Sequence, residues 1–254
     1  MQQKGGGMMG NQKRRKLRLG CLFLALAAAG LALAPRALPA LPAGGANYQV
    51  TVPADPPMVA ITFDDGPRDT TTTRLLDELA LREVQATFFL VGARLSGNED
   101  LVRRMAAAGP QVGVHSYTHI FINNLAKQDF DFEVGQTRMQ LKEILGDGSF
   151  WLRPPYGITD SSVENWAGSP IILWSVDPED WKDRNVERMV QLVLGQVKDG
   201  DIILFHDIYE SSVDAALQVV DALLQEGYYF VTAEQLLQAK GVTPENGVIY
   251  RQVR

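Results

Sequence analysis

The stretch M-V-A-I-T-F-D-D-G-P, residues 58–67, carries a six-residue strand-like run into two adjacent carboxylates and a Gly-Pro turn. A short apolar run bounded by a turn reads as a strand buried on both faces. Two like charges at the end of such a strand repel each other and cost free energy unless something compensates. Neighbours in a strand point to opposite faces, but at a strand end entering a turn both carboxylates can bend to one side. A bound cation would relieve the repulsion, with one carboxylate ligating it and the other left free. Taken alone, a bland helix-entry turn explains "DDGP" just as well.

Outward from this stretch the pattern alternates. Further strand-like runs occupy residues 86–91, 112–114, 150–152, 170–174, 201–205 and 228–231. Helical spacing covers residues 70–83, 100–109, 129–146, 186–200 and 211–227, several of them closed by glycine. Alternating strands and helices predict an α/β fold with a mostly parallel sheet, either an open doubly wound sheet or a (β/α) barrel. Polar residues recur at the predicted strand ends: Asp64 and Asp65, His115, Arg153, Asp177, then His206 and Asp207. Contributions from so many strand ends converge in a barrel mouth.

The 254-residue chain carries a net charge of −6, unevenly spread. Residues 1–46 hold seven Lys or Arg and no acid, leaving 17 basic against 30 acidic residues in the rest, a balance of −13. An acidic body argues against nucleic acid as a partner. The basic cluster at residues 13–18 precedes an apolar run over residues 19–34, the pattern of an export signal or signal-anchor. Residues 35–46 read as a Pro/Gly/Ala spacer. Two regions are expected: 1–46, a basic end, an apolar signal or membrane anchor and a spacer; and 47–254, one catalytic domain. The body would then face outside, anchored or secreted. The single cysteine, Cys21, opens the apolar run and leaves no thiol in the body. A thiolate nucleophile or cysteine-rich zinc site is thereby excluded there.

There are three histidines, and each falls in a motif. H-S-Y-T-H (115–119) follows a strand-like run. At spacing i, i+4 two imidazoles share one helical face and can reach one metal, although surface pairs at that spacing are common. Taken together with the Asp64–Asp65 pair at another strand end and the export signal, a His-His-Asp site with an open position becomes the stronger reading. L-F-H-D (204–207) ends a strand with the third histidine, a core residue in the bland reading and a proton donor in the functional one. R-P-P-Y-G (153–157) supplies an arginine that could hold a carboxylate and a rigid turn whose backbone N–H could face an oxyanion. D-P-E-D-W (177–181) offers an acid to orient His206 and an aromatic wall for a sugar. The last two could equally be exposed loops.

Jointly and in this order, T-F-D-D-G (62–66), H-S-Y-T-H, R-P-P-Y-G, D-P-E-D-W and L-F-H-D resemble the polysaccharide deacetylase family, carbohydrate esterase family four. The resemblance spans residues 57–240 and includes A-T-F-F-L-V-G (86–92). It implies a distorted (β/α) barrel of about seven strands. It implies Asp65, His115 and His119 as ligands of a divalent metal, zinc first. Asp64 becomes the base that activates water, held by Arg153, and His206 the acid that protonates the leaving amine, tuned by Asp180. The Tyr156 backbone N–H would face the oxyanion, with Trp181 and Leu204 shaping the groove. Gln111 stands where the family often has Glu, and Ile120 where Pro is frequent. The expected function is removal of N-acetyl groups from a glycan, bacterial peptidoglycan N-acetylglucosamine before chitooligosaccharides or xylan. A catalytically silent glycan-binding protein on the same barrel ranks below it, because no ligand or acid–base residue is lost.

Overall fold

The computed structural model describes residues 56–254. The expected signal or anchor segment, the spacer and the boundary after residue 46 lie outside the described residues. Among the described residues, no helix is long and apolar enough to cross a membrane.

The strands are β1 (Met58–Asp64), β2 (Thr87–Leu90), β3 (Gln111–Val114), β4 (Ile171–Ile172), β5 (Ile202–His206), β6 (Tyr229–Phe230) and β7 (Ile249–Tyr250). β1 is buried along its whole length and pairs in parallel with β2 on one side and β5 on the other. β2 pairs in parallel with β3. From β3 the contacts pass through Leu152, bridged in parallel to both Val114 and Ile171. The segment that starts with β4 returns to β5 through a bridge from Val176 to Ile203. These contacts run in a ring back to β1. β6 pairs with Met58 and Val59 at the start of β1, and β7 pairs with β4.

The period of two along these strands sorts the core. Val59, Ile61, Phe63, Phe88, Leu90, Ile203 and Phe205 pack in the larger apolar cluster, with residues of the helices. Met58, Ala60, Phe89, Trp151, Ile172 and Ile202 form a separate cluster. Thr62 and Asp64 continue the parity of Met58 and Ala60, and Leu204 and His206 continue that of Ile202. The alternation that buries β1 therefore delivers Asp64 to the same side as Leu204 and His206.

The helices are α1 (Asp69–Leu81), α2 (Glu99–Ala107), α3 (Lys127–Phe130), α4 (Gln136–Leu145), α5 (Ser161–Trp166), α6 (Val186–Leu194), α7 (Glu210–Gln225) and α8 (Ala233–Ala239). The sequence predicts one helix over 129–146; a π-helical turn at Asp131–Gly135 joins α3 to α4. The expected strand at 150–152 shrinks to one bridged residue, because Pro154 and Pro155 follow and offer no N–H to extend a ladder. β7, α5 and α8 are additions. α5 and α8 are too short to show a helical period, although their caps are written in the chain. Asp160 accepts from Val163 N, and Thr232 with Gln235 makes a reciprocal capping box. Gln111, one of the two departures, accepts from Thr87 Oγ1 and from Glu234 N in the first turn of α8, so its role is structural.

Gly113 of β3 lies opposite Phe89 of β2. A Cβ there would stand 2.6 Å from the Phe89 ring and 2.8 Å from the Trp151 carbonyl oxygen, so neither neighbour leaves room. We expect Gly113→Ala to lower the unfolding free energy by roughly 1–3 kcal/mol, the cost of overpacking, measured by urea denaturation.

Candidate active site

Asp64 ends β1 and is 2% exposed. Its Oδ1 accepts from Arg153 Nη1 at 2.8 Å, and Arg153 is itself fully buried. The other Arg153 contacts fix the guanidinium plane: Nη1 to Thr62 Oγ1 at 2.7 Å, Nε to the Ile172 carbonyl at 2.9 Å, Nη2 to the Leu173 carbonyl at 3.1 Å. Phe89 lies against it at 4.2 Å. One residue on, Asp65 takes a left-handed φ of 73°, which turns its side chain out of strand alternation. Aspartate tolerates that region better than most residues.

The histidine pair is not on a helix, which corrects the reasoning from i, i+4 spacing. Residues 115–119 form an irregular loop after β3, with Ser116 and His119 at φ 57° and 61°. The rings still converge, their centroids 5.0 Å apart. Two acceptors hold the loop. Ser116 Oγ accepts from His119 N, and Glu133, 5% exposed in the π-helical turn, accepts from Tyr117 N, Thr118 N and Thr118 Oγ1 at 2.7–2.9 Å. Sequence reasoning missed Glu133. The extra residue of the π turn gives no periodic signal, and such turns, rare overall, frequently fall at functional sites.

Asp65, His115 and His119 each present one ligand atom within 4.8 Å of the other two. Asp65 Oδ1 is 3.0 Å from His119 Nε2 and 3.6 Å from His115 Nε2. Ligands on bonds of about 2.0–2.2 Å would stand that far apart. Asp65 Oδ1 is buried without a hydrogen-bond partner, an orphan acceptor that a cation would satisfy. His115 Nδ1 lies 2.7 Å from the Arg153 carbonyl, so it donates there and leaves Nε2 with its lone pair toward the site. Burial lowers the His115 pKa against the pull of Asp64 and Asp65, favouring the neutral imidazole a metal requires. Burial pushes Asp65 up, but the His119 ring nitrogen 3.0 Å away and the charge of the facing histidines outweigh it and hold Asp65 well below the usual carboxylate range. The donor set fits a divalent cation.

Across the site, His206 ends β5. Its Nδ1 is 2.7 Å from Asp180 Oδ1, and its backbone N–H donates to Asp180 Oδ2 at 2.8 Å. Burial would lower the His206 pKa; the hydrogen bond and charge of fully buried Asp180, helped by Asp64 and Asp65, raise it to about 9. Asp177 lines the same cavity, pushed up by burial. Asp207 instead packs behind the turn, where a Cβ on Gly66 would strike its carboxylate at 2.5 Å.

The cavity holds about 340 Å³ and brings Asp64, Asp65, His115, His119 and His206 together with Tyr156, Trp181 and Leu204. Trp174 and Tyr209 complete the aromatic wall and were not singled out from sequence. Tyr156 sits at φ 63° in the R-P-P-Y-G turn and stacks on Phe121 at 4.1 Å. Arg153 and Asp180 stand behind the cavity, each bonded to a residue that lines it. Two acids of different surroundings, three residues able to hold a divalent cation and an imidazole with a raised pKa thus line one cavity.

A model of the polysaccharide deacetylase family matches residues 51–169. A Bacillus cereus peptidoglycan-N-acetylglucosamine deacetylase is 32% identical, covering 78% of this chain and 96% of its own. The chain belongs to the polysaccharide deacetylase family. It is 38% identical to the Bacillus subtilis peptidoglycan-N-acetylmuramic acid deacetylase PdaC over 75% of its length, but spans only 41% of that longer relative. Among solved structures, it resembles a family 4 acetyl xylan esterase from Clostridium thermocellum in complex with a cobalt ion. There the TM-score is 0.73 at 30% identity, covering 77% of this chain and 98% of that one. Each of the five polysaccharide deacetylase motifs gives the cavity at least one lining residue: Asp64 and Asp65, His115 and His119, Tyr156, Asp177 and Trp181, and Leu204 and His206.

In this member of the family, Glu133 should matter through the loop alone. We expect Glu133→Ala, which leaves the Tyr117 and Thr118 N–H groups without their acceptor, to weaken metal binding roughly 10–100-fold while the circular dichroism spectrum stays native. Metal titration with a chromophoric competitor chelator checks it.

Proposed function

We propose that the protein is a metal-dependent hydrolase that removes N-acetyl groups from a glycan, with N-acetylglucosamine of bacterial peptidoglycan as the first substrate. The observation that carries the reading is the pairing, across one cavity, of the Asp65–His115–His119 cluster with a histidine held protonated by Asp180. The names of the related deacetylases support the substrate class. Two imidazole nitrogens and one carboxylate with open positions suit zinc, our choice among divalent ions. We read the ring of parallel contacts as the distorted (β/α) barrel that the sequence resemblance implies. The basic and apolar N-terminal residues support export, with the domain outside the cytoplasmic membrane, tethered or released.

Bound at the cluster, the cation would supply Lewis-acid polarisation of the acetyl carbonyl and of the attacking water. Asp64, kept aimed by Arg153, takes a proton from that water. His206 gives its proton to the departing amine nitrogen, and Asp180 holds the ring in the tautomer that presents Nε2–H. The Tyr156 N–H faces the developing oxyanion. Trp181 offers a stacking face to a sugar, and Leu204 limits the acetyl end of the cavity. The likeness to an acetyl xylan esterase favours one second reading, hydrolysis of an acetyl ester at the same site.

Full-length protein should release acetate from N-acetylglucosamine oligomers or purified peptidoglycan with zinc and not with chelator. Release only from acetylated xylan would shift the reading to the ester, and none from any glycan would end it. We expect Asp64→Asn to keep its metal and lose turnover by roughly 10²–10⁴-fold, and Asp65→Asn to lose the metal. Equal metal loss in both would refute that division of roles.

His206 has a raised pKa of about 9, so its donating form is present below that pH and disappears as pH rises through it. The pH profile of kcat/KM should therefore fall on its alkaline side near pH 9. Asp180→Asn should move that limb toward the ordinary histidine range of about 6.5.

A further inference from the structure

Tyr156 holds a left-handed φ of 63°, and its N–H donates to no acceptor among the described residues. A conformation of that kind persists only where neighbours over-determine it. On the backbone the neighbours are plain. Pro154 and Pro155 fix the chain before it, and Gly157 after it sits against Trp174, where a Cβ would stand 2.7 Å from the indole. The Tyr156 side chain, 53% exposed, is held differently. Its contacts come from the loop that carries the proposed metal ligands. The His119 ring meets it edge-on, with centroids 4.9 Å apart. Its hydroxyl donates to the His119 carbonyl at 3.3 Å. Phe121 stacks on it at 4.1 Å, with 27° between the ring planes.

Phe121 belongs to none of the five motifs and follows the departure at Ile120. It is 50% exposed, so its ring is not a buried core residue. What it does cover is the Tyr156 ring. Stacked aromatic pairs are favourable beyond the area they bury, and this pair joins the loop after β3 to the R-P-P-Y-G turn. We propose that Phe121 is a positioning residue: it clasps the metal-ligand loop to the turn and so keeps the Tyr156 N–H aimed at the developing oxyanion. The inference rests on the glycan-deacetylase reading and adds a residue to its machinery. A donor that drifts from its line loses stabilisation of the transition state while binding of the ground state remains. The clasp therefore acts on kcat. A stacking face for a second sugar, the alternative use of such a ring, acts on KM and grows with oligomer length.

The test uses full-length protein with zinc and two measurements. The first is kcat and KM on short and long N-acetylglucosamine oligomers. Phe121→Ala should lower kcat about three- to tenfold, the worth of one aromatic pair, equally on both and with KM nearly unchanged. Phe121→Tyr, which keeps the stack, should restore it. An unchanged kcat overturns the clasp, and a loss confined to KM or growing with oligomer length assigns the ring to a sugar instead. The second needs no turnover: hydrogen–deuterium exchange in the peptide covering residues 153–160. There Gly157 N–H and Ile158 N–H, which donate to Pro154 and Pro155 carbonyls, report opening of the turn. Exchange should quicken in Phe121→Ala and not in Phe121→Tyr; equal exchange in all three proteins overturns the clasp. Quickened exchange with no acetate from any glycan would sustain the contact between the loops and overturn the deacetylase reading. Acetate release with kcat unchanged in Phe121→Ala would overturn the clasp alone.

Discussion

Arg153 is a fully buried cation to which the rest of the site is tied. Its side chain reaches β1 through Thr62 and Asp64 and the segment after β4 through Ile172 and Leu173. Its main chain accepts from His115 and donates to Val114. One residue thus joins the proposed base, a metal-ligand loop and two walls of the ring. Burying a guanidinium costs several kcal/mol unless its donors are satisfied, and removing one partner of such a pair costs about 3–5 kcal/mol. The arrangement is therefore all or nothing. Asp64 cannot drift from the mouth without leaving a charge unpaired in the interior.

The same economy explains why two adjacent acids do different chemistry. Asp64 faces a guanidinium and keeps only one oxygen for the cavity. Asp65 faces two imidazoles and has an oxygen with no hydrogen-bond donor of its own. Strand parity sends Asp64 inward, and the left-handed φ of the next residue breaks parity to bring Asp65 to the same side. Across the cavity, Asp180 does for His206 what Arg153 does for Asp64: it fixes the direction of the group.

How far the sequence could be read follows from which of these features leave a local trace. Buried runs placed β1, β2, β3 and β5, and the acid or histidine that closes three of them placed Asp64 and His206, because burial and parity are sequence-periodic properties. The resemblance carried by the five motifs supplied the roles. Spacing misled at the histidine pair. Its two rings meet through left-handed turns at Ser116 and His119, not through a helix, and positive φ at a non-glycine residue leaves only a weak trace in residue type. Glu133 was invisible for a related reason: it reaches the loop from a π turn, where the helical count slips by one residue. β7 and the single bridge at Leu152 are too short to carry a period at all.

Those left-handed residues also say what the surrounding framework must do. Asp65, Ser116, His119 and Tyr156 all hold φ between 57° and 73° at one site. Such conformations cost on the order of 1–3 kcal/mol each for residues that fit them poorly, and persist only when neighbours over-determine them. Here the neighbours are specific. Glu133 and Ser116 Oγ hold the histidine loop, and the Arg94 guanidinium donates to the Asp65 carbonyl at 2.6 Å. Arg68 and Arg184 hold the Ile208 and Asp180 carbonyls in the same way. Three arginines, none with a carboxylate partner among the described residues, thus brace the main chain at Asp65, Asp180 and Ile208.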